Sequence, residues 1–246
     1  MKYLESVRDE ATPRFHAYLP RMAPLLLALA SPAALAERPM AVDDAGTLDK
    51  GGAKLEFGWS RDDQTKGWDG AAGFAPVENL ELEVSFVRSR DHSAAPATKI
   101  STTGFAAKWV PLQAEAGMSA GLKLKWGGGK NDDQAGTVTQ PQTHGLTGLA
   151  TWTFESDQLL HFNVGRSWER VDGATTGTGN WGIGLDQPLT KGLSLTLETY
   201  GLDQGKSRPD KQIGLRWEVA DGLKLSIAGG SGNNRSFAQA GVAWEF

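Results

Sequence analysis

From Ala53 onward the chain repeats one device: a short turn, then residues that are apolar at every second position. The stretches ENLELEVSF, AGLKLKW, DQLLHFNVG, KGLSLTLETY and DGLKLSIAGG all follow it. Side chains alternate between the two faces of a β-strand, so a period of two without any helical stripe predicts an all-β fold with two unlike faces. Twelve strands are predicted, at 53–61, 67–75, 80–90, 99–110, 116–127, 143–155, 159–170, 178–187, 192–203, 210–219, 222–231 and 235–246. Tight connections alternate with longer polar ones, of which GGKNDDQAGTVTQPQ is the longest. An even strand count with short turns at one end and longer loops at the other predicts a closed antiparallel transmembrane β-barrel.

The nine tryptophans test that expectation. By parity, Trp59 shares a face with Leu55 and Phe57, Trp109 with Phe105, and Trp126 with Leu122 and Leu124. Trp168 falls with Phe162 and Val164, Trp217 with Ile213 and Leu215, and Trp68, Trp152, Trp181 and Trp244 also lie on apolar faces. Trp109, Trp152, Trp217 and Trp244 come near the tight turns and the other five near the long loops, as two membrane-interface girdles require. A soluble β-sandwich would alternate too, but gives no reason to sort tryptophan to strand ends. The closing stretch GVAWEF then reads as a lipid-facing last strand that places Phe246 at the inner interface, resembling the C-terminal signature of outer-membrane barrels.

The opposite parity is expected to line the lumen. It carries Glu81, Glu83, Lys108, Lys123, Lys125, His161, Asn163, Glu198, Arg216, Glu218 and Lys224, with glycines such as Gly182, Gly184 and Gly214 between them. Lysines gather on the fourth and fifth strands and carboxylates dominate from the sixth to the tenth, setting a basic wall across from an acidic one. The small residues leave room for water or a solute; alternatively the charges pair with one another and plug the barrel. Arg166 breaks the pattern by falling on the lipid parity, where it would snorkel to headgroups or mark a bulge.

Three domains follow. Residues 1–36 form a signal peptide with a long n-region, ending in MAPLLLALASPAALA with cleavage after Ala36. Residues 37–52 are a periplasmic leader or partial lumen plug, and 53–246 are the barrel. Cleavage would remove four of 25 Lys/Arg and three of 29 Asp/Glu, leaving a charge of −5. With no cysteine there is neither a disulfide framework nor a thiolate metal site, and the mild acidity offers no footprint for nucleic acid.

The stretch RPMAVDDAGTLDKGGAKLEFGW, followed by PVENLELEVSF, resembles the outer-membrane barrel family named for the MetA pathway of phenol degradation. That resemblance implies transport of a small aromatic or apolar solute, and carries no catalytic residues. Other motifs are discounted. GTGNWG runs from a loop into a strand with no following helix, GLDQGKS is one residue short of a phosphate loop, and His161 and Asn163 of HFNVGRS alternate with apolar neighbours. The histidines show no metal-ligand spacing. No enzyme, cofactor or metal is expected. The leading expectation is a passive channel or facilitator in the Gram-negative outer membrane. Expected partners are outer-membrane lipid and lipopolysaccharide, the barrel-assembly machinery through the C-terminal strand, and the solute itself. Alternatives are a closed structural barrel with partner-binding external loops and an outer-membrane lipid hydrolase.

Overall fold

The computed structural model describes residues 38–205 and 207–246, so the expected signal peptide at 1–36 lies outside the described residues. The strands are β1 (Ala53–Asp62), β2 (Thr65–Val77), β3 (Leu80–Asp91), β4 (Thr98–Leu112), β5 (Gly117–Asp132), β6 (Val138–Thr139), β7 (Gln142–Thr153), β8 (Leu159–Val171), β9 (Ala174–Thr190), β10 (Leu193–Asp203), β11 (Asp210–Ala220), β12 (Leu223–Gly232) and β13 (Arg235–Glu245). Twelve of them form a closed antiparallel barrel in which each strand pairs with its neighbours in sequence. The two-residue β6 stands apart, pairing with the end of β5 inside the long loop. Closure is made by β13 on β1, from Lys54 opposite Glu245 to Asp62 opposite Phe237, and a closed sheet leaves no edge for another chain to extend.

Burial is inverted relative to a water-soluble domain. Leu55, Val84, Val164, Ile213 and Ile227 are exposed on the outside, whereas Lys54, Glu56, Glu81, Glu83, Lys108 and Lys123 are buried inside. Among the described residues, buried apolar residues form small groups, Met40 with Val42 and Ala45 with Val110 and Leu149. The cause is the alternation itself, which sends most large apolar strand residues outward.

The strand set agrees with the predicted twelve, but the loops differ. Three of the connections expected to be longer are two-residue turns, at 63–64, 172–173 and 233–234; those at 92–97, 133–141 and 204–209 are longer. The loop expected at 171–177 vanishes because β8 and β9 run on to Asp172 and Gly173, both at positive φ, 49° and 84°. That is the conformation of a tight hairpin turn, for which Asp-Gly is a strong sequence signal. Asn233 and Asn234, at φ 47° and 62°, make the same kind of turn.

Residues 38–52 precede β1; 38–48 run inside the barrel, and Asp49, Lys50 and Gly51 are exposed. They enter β1 at the end where the chain also finishes: Phe246 exchanges backbone hydrogen bonds with Ala53 at 2.8 and 2.9 Å, and the Gly51 N–H donates to the Ala75 carbonyl at 2.8 Å.

Candidate functional site

The inward face of the strands meets residues 38–48 around much of its circumference. Arg38 pairs with Asp69 of β2 and lies 3.7 Å from Glu56 of β1, and its carbonyl accepts from Arg216 Nε at 2.7 Å. The Pro39 carbonyl accepts from Gln212 and Gln239, each at 2.7 Å. Beside Gln212, whose amide it accepts at 2.7 Å, Glu198 of β10 receives the backbone N–H groups of Ala41 and Val42 at 2.8–3.0 Å. Asn163 of β8 clasps Asp43 twice, accepting its N–H and donating to its carbonyl, both at 2.7 Å. The Ala45 N–H donates to Thr151 at 2.8 Å, and the Leu48 N–H to Glu81 at 3.3 Å.

The glycines expected to leave space for a solute are where this segment sits. A Cβ at Gly58 or Gly241, which face each other across β1 and β13, would collide with Arg38. One at Gly214 would meet Pro39, and one at Gly182 or Gly184 would meet Val42 or Met40. The wall is thus hollowed along a track that fits the segment's larger side chains.

The two lysine-bearing strands meet the two aspartates of the segment. Lys123 lies 2.6 Å from Asp43, and Lys108 lies 3.1 Å from Asp43 and 2.7 Å from Asp44. Burial works to raise the Asp43 carboxyl, but the adjoining Lys108 and Lys123 outweigh it and hold its pKa well below the usual carboxylate range. The network continues along the wall, with Lys54 2.6 Å from Glu81 and 3.8 Å from Glu83. Charges buried to this degree persist only when paired and hydrogen-bonded, and removing one member of such a set costs about 3–5 kcal/mol.

The remaining lumen-parity residues fall in several places. His161 is buried with Nδ1 2.9 Å from the Thr151 hydroxyl. Arg216 pairs with Asp186 at 2.6 Å, and Lys224 with Glu245 at 3.3 Å. Lys125 is half-buried and, among the described residues, has no ion pair or hydrogen bond. Glu218 keeps its inward parity but is exposed beside the tight turn, where its carboxylate accepts the Gly222 N–H at 3.3 Å. Among the described residues no group of His, Asp and Glu is arranged to hold a metal ion.

On the outside, Trp68, Trp109, Trp126, Trp152, Trp181, Trp217, Trp244 and Phe246 are exposed, while Trp59 and Trp168 are half-buried. His144, expected in or beside a loop, is instead an outward residue of β7 whose ring stacks on Trp168 at 5.3 Å. Arg166 is exposed on the outward face of β8 without a register shift there. GTGNWG lies within β9.

Sequence reasoning missed Arg38, Asp43 and Asp44 as site residues, together with Lys54, Glu56, Gln212 and Gln239. The signal that could have found the aspartates was charge matching: an Asp-Asp pair just before the first strand, and an unmatched pair of lysines inside.

The fold and site define a closed twelve-stranded barrel, apolar outside and ionic inside, that holds a segment of its own chain. Residues 25–244 match the family described as Uncharacterised conserved protein UCP029691, and the chain belongs to that family. No curated protein matches it in sequence. Among solved structures it is similar to the COG4313 outer membrane channel from Pseudomonas putida F1, with a TM-score of 0.61 at 10% identity over 82% of this chain and 98% of that one. It is also similar to the KdgM porin in complex with disordered oligogalacturonate, with a TM-score of 0.56 at 11% identity over 78% and 99%. LpxR from Salmonella typhimurium has a TM-score of 0.55 at 8% identity over 78% and 99%. At these identities the likeness is one of fold.

Proposed function

We propose that this protein is a Gram-negative outer-membrane barrel that passes small solutes passively through a lumen narrowed by its own residues 38–48. The observation that carries this reading is the reversal of polarity: a wall of buried charges facing inward, and an exterior of exposed Leu, Ile, Val, Phe and Trp that needs lipid as its solvent. The likeness in fold to porins and channels supports it. The tryptophans near the two ends of the strands serve as its interface girdles. Lys125 and the other lumen residues act as the filter, and residues 38–48 act as a constriction held by polar contacts. Aromatic compounds are the first solutes to test, following the phenol-degradation resemblance. The C-terminal strand, which closes the barrel on β1, is the segment the barrel-assembly machinery would engage.

An enzyme reading finds less support. A hydrolase acting on lipid needs a histidine and a hydroxyl together on the outer face, and His144 instead stacks flat on Trp168. A closed structural barrel is the second reading, favoured by the ion pairs of Asp43 and Asp44 with Lys108 and Lys123.

Planar-bilayer conductance of the wild type and of Asp43→Asn/Asp44→Asn separates these. The expected result is a small conductance in the wild type, and in the variant a larger one shifted toward anions, because Lys108 and Lys123 then lose the carboxylates nearest to them. Absence of current in both, with the barrel still folded, would establish the closed structural barrel instead.

A further inference from the structure

At the end of the barrel away from Ala53 and Phe246, the outer face carries a dense block of cations. Arg61, Lys66, Arg90 and Lys99 stand directly opposite one another in sequence across β1, β2, β3 and β4, and all four are exposed. Two residues nearer the middle of β3, exposed Arg88 faces Ser101, which in turn faces Lys130 of β5. Like charges directly opposite on a sheet face destabilise the pairing, so an unbroken row of four implies a counter-charge. Among the described residues, Asp132 is the carboxylate on this face: it is opposite Lys99 and 3.6 Å from Lys130. One carboxylate does not balance six cations.

The same face contains a cleft of about 380 Å³ whose lining includes Arg88, Ser101, Thr103, Gly128 and Lys130. Its rim is fixed by the chain after β6, where the Pro141 carbonyl accepts the Gly129 N–H at 2.9 Å. The cleft therefore offers two cations, two hydroxyls and glycine backbone, a donor set suited to a phosphate. Directly along the strands toward mid-barrel lie Phe86, Phe105 and Trp126, all exposed. A soluble anion would have no use for that apolar floor, whereas a lipid would cover it with its acyl chains.

We propose that this face binds a phosphorylated glycolipid of the outer leaflet, with a phosphate between Arg88 and Lys130, hydrogen-bonded by Ser101 and Thr103, and acyl chains over Phe86, Phe105 and Trp126. The row Arg61, Lys66, Arg90 and Lys99 holds a second phosphate or an acidic sugar of the same lipid. This rests on the outer-membrane reading above, and specifies which sector of the barrel grips lipid and by which groups.

The test is equilibrium binding by native mass spectrometry of the full chain refolded in detergent, with bisphosphorylated lipid A and with the same lipid stripped of phosphate. Binding of the phosphorylated lipid is expected to exceed that of the stripped lipid by about tenfold or more, and Arg88→Gln/Lys130→Gln to erase most of that difference. Lys211→Gln, which removes an exposed cation on β11, should leave it unchanged. Equal binding of the two lipids by the folded wild type would overturn the site while leaving the barrel reading intact, even if the double variant failed to fold. Displacement of lipid A by equimolar inorganic phosphate would also overturn it, by assigning the cleft to a soluble anion. A chain soluble without detergent that bound neither lipid would instead overturn the outer-membrane reading on which the site depends.

Discussion

At the scale of single residues, the lumen is organised by what glycine omits. Gly182 and Gly184 are inward positions of β9, and the absence of their side chains admits Val42 and Met40. Gly184→Val keeps a residue well suited to a strand but fills the seat of Met40. Overpacking of this kind costs about 1–3 kcal/mol, and because the strand hydrogen bonds are untouched the loss should fall on the segment rather than the barrel. The expected outcome is a wild-type barrel whose leader is cut at Asp43 by an aspartate-specific protease, seen as a mass loss in the intact chain. Full resistance would show that the segment stays seated without that contact. A charge is decided in the same local way. Lys108 and Lys123 look from the sequence like a bare basic wall, yet both are satisfied by Asp43.

At the scale of the element, each barrel strand presents one face to an apolar solvent and one to an ionic interior. Depth along the outward face should then set the cost of a charge. Ile227, 60% exposed on β12, pairs with Leu215 and Ala240 near mid-strand, while Ser231 is on the same face closer to the turn at Asn233. Ile227→Arg should destabilise the barrel in lipid vesicles by about 2–4 kcal/mol and Ser231→Arg by about 0–1 kcal/mol. Denaturant titrations of the two variants check this, and equal costs would mean that the outward face is not graded by membrane depth. Turn chemistry belongs to this scale too. The hairpin at Asp172 and Gly173 was legible as an Asp-Gly pair, but the polar Thr and Gly residues after it read as loop because they carry no alternation; β9 extends through them by pairing with β8, as Thr176 does with Glu169.

At the scale of the whole molecule, closure of β13 on β1 leaves no strand edge from which unfolding could begin. The unheated protein should therefore migrate faster than the boiled protein on a detergent gel, because the closed barrel stays compact until heat opens it. Identical mobility before and after boiling would be incompatible with a closed barrel. The leader ties into this closure, since Gly51 and Gly52 both exchange backbone hydrogen bonds with Ala75 near the end of β2.

The sequence by itself determined the number of barrel strands, their facing and their order, because a period-two pattern is a local property: each residue's face follows from its neighbour's, and each turn from its own few residues. The same local rule puts most large apolar strand residues and the tryptophans on one face and residues such as Glu81, Lys108 and Lys123 on the other. What occupies the interior was decided only by the tertiary structure. Asp43 meets Lys123 across 80 residues of sequence, and Ala41 meets Glu198 across 157. No periodicity connects positions so far apart, and the route of residues 38–52 depends on the shape that remains once twelve strands have closed.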